Sequence, residues 1–201
     1  TLFFFGADVT EAHPVVGNMA RKAIRLNNAN LIVASVRNVH FNNTAKNDIR
    51  LPYTLGSQAI VMNALMKAML DEDLIDVKKA ETATQHFPEW CSSLNEVTVA
   101  EASQQMGVPE ETIRNAARIL AKPGRCHIIC GKDIQEDPSG EVTIKAVLNF
   151  CAFINAAKNG EGRASVLFSR THNNSQGVND VGVVPDVVPG YLDIYTASQR
   201  E

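Results

Sequence analysis

Short, mainly apolar runs bounded by polar and glycine-containing segments recur along this chain. They lie at residues 2–5, 31–34, 125–130 and 164–168, and a further extended segment lies at residues 49–53. A run of about four to eight such residues with turn residues at its ends is typical of a strand buried on both faces of a parallel sheet. The pattern therefore predicts a sheet of about five strands.

Between these runs the apolar residues recur at helical spacing. The helical segments cover residues 14–26, 56–70, 98–106, 110–120 and 142–157. Strands that alternate with helices pair in parallel, with right-handed crossovers and helices on both faces of the sheet. We therefore expect an α/β fold with a doubly wound, mostly parallel, Rossmann-like sheet.

Two of these helices flank the turn Gly107-Val108-Pro109, which is also the outline of a DNA-binding helix-turn-helix. Glu110 and Glu111 would face phosphates at the start of the second helix, and the net charge of -3 provides no basic field for nucleic acid or an anionic membrane. A structural helical hairpin is thus the favoured interpretation. An unrelated nucleotide- or DNA-binding α/β module is kept as an alternative.

The composition fits a globular domain, since 45% of the 201 residues are hydrophobic. The four cysteines form no C-x-x-C pair, which favours reduced thiols and a cytoplasmic location.

We predict no metal site, because His13, His40 and His86 show no ligand spacing. No apolar segment approaches the roughly 18 residues that cross a bilayer, so we expect no membrane insertion. Because the first residues already form a strand, we expect the polypeptide to continue upstream.

Small and polar residues follow the predicted strands and mark a candidate site. Parallel strands end at one edge of a sheet, and ligands bind beyond those ends. Backbone amides, a guanidinium and a carboxylate gathered there would suit a nucleotide with a pyrophosphate group. The chain lacks a G-x-G-x-x-G pattern, and each strand end taken alone also fits an ordinary turn. The candidate cofactor-binding residues are Gly6, Asp8, Ser35, Arg37, Gly56, Ser57, Gly131 and Lys132.

The segment of residues 170–191 follows the last predicted strand and is rich in amides and glycine. Arg170 and His172 lie on the same side of an extended segment, which makes them candidate catalytic residues. The alternative is that this segment only braces a crossing between two domains.

An ordered series of motifs runs along nearly the whole chain. The motifs are Gly6-Ala7-Asp8 with His13-Pro14, Arg37 at a strand end, Gly56-Ser57 before a Leu/Met/Ala-rich helix, GVPEETIRNAARILA, Asn173-Asn174-Ser175-Gln176-Gly177, Gly182, Pro185-Asp186 and Pro189-Gly190-Tyr191. This series resembles the molybdopterin oxidoreductases, in particular the formate dehydrogenase alpha subunit and the related large subunit of NADH-quinone oxidoreductase.

The resemblance implies a central αβα domain over residues 1–170, followed by a crossing segment, residues 171–201, towards a neighbouring domain. In the family this domain holds the guanine nucleotide half of molybdopterin guanine dinucleotide. The iron-sulfur clusters and the molybdenum ligand are expected outside this chain. Arg170 matches the arginine that fixes formate beside the metal in formate dehydrogenases, a role that suits its rigid donor fork.

Three departures from the family pattern bear on the choice between the two branches. Ser35 stands where the family strand ends in Asp, His172 replaces Gln, and Asp133 replaces Gly. They favour the large subunit of NADH-quinone oxidoreductase, in which this domain is a scaffold without the cofactor while electrons pass from NADH to quinone. Its partners would be other domains of the same subunit and iron-sulfur subunits of a complex on the inner face of the membrane. The alternative is the cofactor-binding domain of a formate dehydrogenase, with Arg170 and His172 facing the substrate.

Overall fold

The computed structural model describes residues 1–41, 48–122, 124–157, 163–170, 172–185, 187–188 and 192–194. The chain divides into two compact units, Thr1–Ser169 and Arg170–Glu201. The first unit contains these elements in chain order: β1 (Leu2–Phe5), α1 (Val9–Ala12), α2 (Pro14–Asn27), β2 (Leu31–Ala34), β3 (Asp48–Leu51), α3 (Gln58–Asp71), α4 (Val77–Ala83), α5 (Phe87–Leu94), α6 (Val99–Met106), α7 (Glu110–Ala121), β4 (Cys126–Cys130), α8 (Lys132–Gln135), α9 (Gly140–Ala157) and β5 (Ala164–Phe168).

The second unit contains one short helix and one short antiparallel ribbon among its described residues. These elements are α10 (Ser175–Asp180), β6 (Val187–Val188) and β7 (Leu192–Asp193). The sequence-based expectation that residues 171–201 cross towards a neighbouring domain stays a prediction.

The strands of the first unit form a parallel sheet in the order β3-β2-β1-β4-β5. Strand β1 lies at the centre, with Leu2 opposite Leu31 of β2 and His127 of β4. The order reverses between β1 and β4, which is the topological switch point where α/β sheets bind ligands. This arrangement confirms the predicted α/β fold. We call the line where the five strands end the carboxyl edge of the sheet.

The two faces of the sheet bury clusters of different size. Phe3 and Phe5 belong to a large cluster that includes residues of α3, α6, α7 and α9. Phe4 points to the opposite face and joins a smaller cluster with Ile24 of α2 and Phe41, whose ring lies edge-on to Phe4 at 4.9 Å between centroids. Alternation of side chains along β1 therefore supplies both halves of the core.

Helix α2 lies where the helical spacing predicts it. Val15 and Met19 share the spacing of its apolar residues, yet they are 74% and 65% exposed. The buried residues are small or lie further along the helix, and a Cβ atom on Gly17 would lie 3.1 Å from the carbonyl oxygen of Val9. Glycine thus lets α2 approach α1 closely, and this close approach turns the larger residues outward.

Helices α4 and α5 were not predicted, because they are short and their apolar residues show little periodicity. Asp76 begins α4 by accepting a hydrogen bond from the Lys79 amide at 3.2 Å. Trp90 of α5 packs against Phe153 of α9 at 5.2 Å between ring centroids. Within the described ranges, no helix has both the length and the apolar content needed to cross a membrane.

Candidate functional site

The carboxyl edge brings several predicted site residues together. Gly6 follows β1, Ser35 follows β2 and Gly131 follows β4, and these three strands are neighbours in the sheet. Gly6 and Gly131 therefore flank the switch point between β1 and β4. This is the place at which the sequence had predicted a ligand.

Gly6 and Gly131 bring the backbones after β1 and β4 into close contact. A Cβ atom on Gly131 would overlap the carbonyl oxygen of Gly6 and the Cα of Ala7, and one on Gly6 would lie 2.8 Å from Cγ1 of Ile134. Gly6 also has a positive φ of 57°. Only glycine fits both positions, because neighbouring atoms already fill the space that a Cβ atom would need.

Asp8 acts as a helix cap. It is 8% exposed, and its Oδ1 accepts hydrogen bonds from the amides of Thr10 at 3.1 Å and Glu11 at 3.3 Å. This N-cap of α1 accounts for the burial of the carboxylate. A direct contact of Asp8 with a nucleotide stays a prediction.

The predicted cations lie at the surface of this region. Arg37 is exposed, and its Nη1 lies 3.7 Å from Oε2 of Glu11, itself an exposed carboxylate. Such exposed pairs are weak and exchange readily with other anions. Lys132 is also exposed and begins α8. Both cations are therefore placed to attract a negatively charged ligand.

The first turn of α3 offers amide groups to an anion. Ser57 precedes the helix, but its hydroxyl donates to the carbonyl of Thr54 at 2.7 Å and makes no cap bond with the described helix. Gly56 adopts a positive φ of 91°, and no atom of the described chain lies within 4 Å of a Cβ built on it. The N-terminus of a 14-residue helix with open space beside it favours a phosphate group.

Three buried polar atoms at this end of the sheet have no hydrogen-bond partner among the described residues: Ser35 Oγ, Tyr53 OH and Gln58 Oε1. The three residues are only 2%, 2% and 1% exposed. Buried polar atoms are almost always paired in folded proteins, so unpaired ones need an explanation. Sequence reasoning had included Ser35 and missed Tyr53 and Gln58, which it had assigned to an extended segment and to a helix.

Asp137 organises the loop above this region. Its Oδ1 accepts hydrogen bonds from the hydroxyl and the amide of Ser139, and its Oδ2 accepts one from Nε2 of Gln58 at 2.9 Å. These bonds, led by those from Ser139, lower the pKa of Asp137. The carboxylate is therefore ionised at neutral pH and fixes the side chain of Gln58.

The charge of Asp137 also acts on the side chain of Tyr53. Burial is the main reason that its pKa is raised, and the negative charges of Asp133 and Asp137 raise it further. The hydroxyl group therefore stays protonated and acts as a hydrogen-bond donor. Asp133, one of the departures noted in the sequence, thus contributes an acidic charge at the carboxyl edge.

Arg170 and His172 belong to the second unit. The carbonyl oxygen of His172 accepts a hydrogen bond from the hydroxyl of Ser175 at 3.0 Å, just before α10. Thr171, between them, lies outside the described residues. In the ranges that the structure covers, no group of three or more His, Cys, Asp or Glu side chains is placed to hold a metal ion. The catalytic roles of Arg170 and His172 stay predictions.

Comparison with protein families identifies the family of this chain. The model of the family described as "Molybdopterin oxidoreductase" matches residues 1–188. This chain belongs to the molybdopterin oxidoreductase family. Membership confirms the resemblance seen in the motifs and removes the alternative of an unrelated α/β module. The family is named for a molybdenum-pterin cofactor.

Curated relatives in the family are oxidoreductases. Formate dehydrogenase H of Escherichia coli strain K12 is 28% identical over 200 residues, which cover 100% of this chain and 27% of the relative. The F420-dependent formate dehydrogenase subunit alpha of Methanocaldococcus jannaschii is 30% identical over 197 residues, covering 96% of this chain and 28% of the relative. The chain thus spans less than a third of the length of these relatives.

A solved structure shows the same fold. Acetylene hydratase from Pelobacter acetylenicus superposes with a TM-score of 0.69 at 22% sequence identity, covering 79% of this chain and 22% of the other. The likeness supports the architecture of the parallel sheet and its helices. This likeness concerns the fold alone and does not separate the NADH-quinone oxidoreductase branch of the family from the formate dehydrogenase branch.

Proposed function

We propose that this chain is the domain of a formate dehydrogenase-like molybdoenzyme that holds the nucleotide half of its molybdenum-pterin cofactor. The proposal rests on the carboxyl edge of the sheet in a chain that belongs to the molybdopterin oxidoreductase family. This edge combines closely packed glycine backbones at the switch point, a helix N-terminus without a side-chain cap and, among the described residues, buried polar atoms without partners.

The residues of the edge fit a dinucleotide by their chemistry. The first-turn amides of α3 beside Gly56 suit a phosphate group, and Arg37 and Lys132 supply positive charge to the diphosphate. The glycines after β1 and β4 allow the two loops beside the switch point to pack closely. Ser35 offers a buried hydroxyl at the end of β2. These groups bind and orient the nucleotide.

When bound, the cofactor supplies a molybdenum centre that accepts electrons from the substrate. The residues of this chain serve that chemistry by positioning the cofactor. Under the proposal, Arg170 binds the substrate carboxylate through its guanidinium group, and His172 lies beside it as a hydrogen-bonding group. Iron-sulfur clusters and further domains of the parent protein are part of the same proposal.

The test is the metal and nucleotide content of the full-length protein. Protein purified from cells supplied with molybdate should contain molybdenum and acid-releasable guanine nucleotide at about one per chain. It should also reduce an artificial electron acceptor when formate is added. Protein from the same cells that lacks both molybdenum and nucleotide would contradict the proposal.

A second candidate is the large subunit of NADH-quinone oxidoreductase, with this domain as scaffold. Two observations favour it: the carboxylate of Asp8 is used as a helix cap, and Asp133 adds negative charge near the site. In this case the domain would contact iron-sulfur subunits of a complex at the inner face of the membrane. A full-length protein without molybdenum that purifies with NADH dehydrogenase activity would support this candidate.

A further inference from the structure

Strand β3 forms one outer edge of the parallel sheet, and no further strand among the described residues pairs with it there. Arg50 lies opposite Val33 of β2, and the carbonyl oxygen of Leu51 accepts a hydrogen bond from the Ser35 amide at 3.3 Å. Backbone groups of successive strand residues point to alternate sides, so those of Arg50 point away from β2. Arg50 therefore presents an amide hydrogen and a carbonyl oxygen at the outer edge of the sheet.

Helix α7 packs beside this edge and forms the second wall of a groove with a volume of about 640 Å³. Ile49 and Ile119, both half-buried, give the groove an apolar surface, and Thr112 and Asn115 add polar groups from α7. The helix rises about 15 Å from Thr112 to Lys122, and a strand of this length spans about 13 Å. Both walls are therefore long enough for about four residues of extended chain.

The charges of the groove favour an acidic partner. Of the four charged side chains that line it in the described chain, Arg50, Arg118 and Lys122 are cations and only Asp48 is an anion. Arg118 already donates hydrogen bonds to two glutamates. Arg50 and Lys122 are exposed, so a carboxylate on a partner can reach them from solvent. The attraction is centred on Arg50, which also carries the outward backbone groups.

Side chains of a strand added to β3 would alternate between two environments. Those next to Ile49 would face α7, since Ile49 packs against the cluster that includes this helix. Those next to Arg50 would lie on the opposite face, beside its guanidinium group. A segment in which apolar and acidic residues alternate therefore matches both positions.

We propose that the groove between β3 and α7 binds an extended acidic segment of a partner protein, which adds to β3 as a further strand. The backbone of Arg50 supplies hydrogen bonds, and Arg50 and Lys122 select for negative charge. A second copy of this chain fits less well, because an isologous contact would bring the same cationic groove against itself. The proposal does not depend on the cofactor.

Peptide binding to the full-length protein tests the proposal. The probe is the acetylated and amidated peptide Glu-Val-Glu-Val-Glu with a fluorescent label, and its Kd is measured by anisotropy. Wild-type protein should bind it, and hydrogen exchange at β3, followed by mass spectrometry, should become slower. Arg50→Glu should raise the Kd about tenfold. The matched control is Arg25→Glu on the exposed side of α2, which should stay within about twofold, and both variants should keep the wild-type Tm.

Two N-methylated forms of the probe distinguish strand addition from simple charge attraction. One carries methyl groups on the valine amides and the other on the glutamate amides. Because a strand directs alternate amides to one side, only one form should lose binding, by about tenfold or more. The other form should stay within about threefold of the parent peptide, and Lys-Val-Lys-Val-Lys should not bind.

Wild-type protein that does not bind the probe would overturn the proposal. Equal binding of the two methylated peptides would exclude strand addition, and equal effects of Arg50→Glu and Arg25→Glu would exclude this groove as the site. A wild-type dimer in which β3 is already protected from hydrogen exchange would assign the edge to a second copy of the chain, which also contradicts the proposal.

Discussion

The polar groups at the two ends of helix α3 differ in how fully they are hydrogen-bonded. At its C-terminal end, the carboxylate of Glu72 accepts hydrogen bonds from Arg118 at 2.7 and 2.8 Å and from Arg114 at 3.4 Å. At its N-terminal end, Gln58 Oε1 is buried without a partner, and Ser57 makes no cap bond among the described residues.

The difference separates groups that hold the fold from groups that serve a ligand. Glu72 joins α3 to α7, and each arginine also contacts a glutamate of α7, Glu110 or Glu111. This network is complete without any further molecule. Among the described residues, the carboxyl edge has buried polar atoms without partners, as expected where a ligand completes the hydrogen bonds. Three substitutions test this comparison, beginning with the largest expected effect.

Gly131→Ala should cause the greatest loss of stability. The added Cβ overlaps backbone atoms of Gly6 and Ala7, which have no rotamer by which to move away. We expect a loss of about 3 kcal/mol or more in the free energy of unfolding, measured with urea. The matched control is Gly56→Ala, which has free space but a positive φ and should lose about 1 kcal/mol. Equal losses in the two variants would contradict the close contact between the loops after β1 and β4.

Glu72→Gln should lower the melting temperature by a few degrees and weaken the dependence of stability on acid pH. Hydrogen bonds from Arg118, and then from Arg114, lower the pKa of Glu72 below its ordinary value of 4.5. A depressed pKa in the folded state stabilises the protein above the unfolded value, and this contribution is lost as pH falls below about 4.5 through the folded pKa. Wild-type stability should therefore fall more steeply between about pH 5 and pH 3 than that of the variant, at constant ionic strength.

The control for Glu72 is Glu141→Gln, which breaks the exposed pair of Glu141 and Lys145. Exposed pairs of this kind contribute little, so its melting temperature at neutral pH should match the wild type. A variant at Glu72 that behaves like this control would show that the α3–α7 network is not structural.

Ser35→Ala should have the smallest effect on stability. The Ser35 hydroxyl has no partner in the described structure, so its removal should change the free energy of unfolding by no more than about 0.5 kcal/mol. Ser169→Ala removes a hydroxyl that donates to the carbonyl of Cys130 at 3.1 Å and should lose about 1 kcal/mol. Only Ser35→Ala should reduce the retention of guanine nucleotide in the purified protein. A clear destabilisation by Ser35→Ala alone would remove the distinction between the two classes of polar group.

The sheet could be predicted from the sequence because its strands are short apolar runs buried on both faces. Strand β3 ends at Leu51, before the predicted end, since Pro52 has no amide hydrogen for the ladder. The glycines and Ser35 could be placed because residues after parallel strands share one edge. Tyr53 and Gln58 were missed, because an aromatic residue after a strand and a glutamine at a helix start are common and have no pattern of their own.

The sequence by itself determined the alternation of strands and helices, the glycines that end β1 and β4, and the motifs of the family. These features are local, since they depend on the period of apolar residues and on backbone conformation. Only the tertiary structure decided which polar atoms are satisfied. Glu72 meets Arg114 and Arg118 from a distant helix, whereas Gln58 Oε1 meets no described partner. Hydrogen bonds between side chains depend on how helices pack across the core, and no local pattern carries that information.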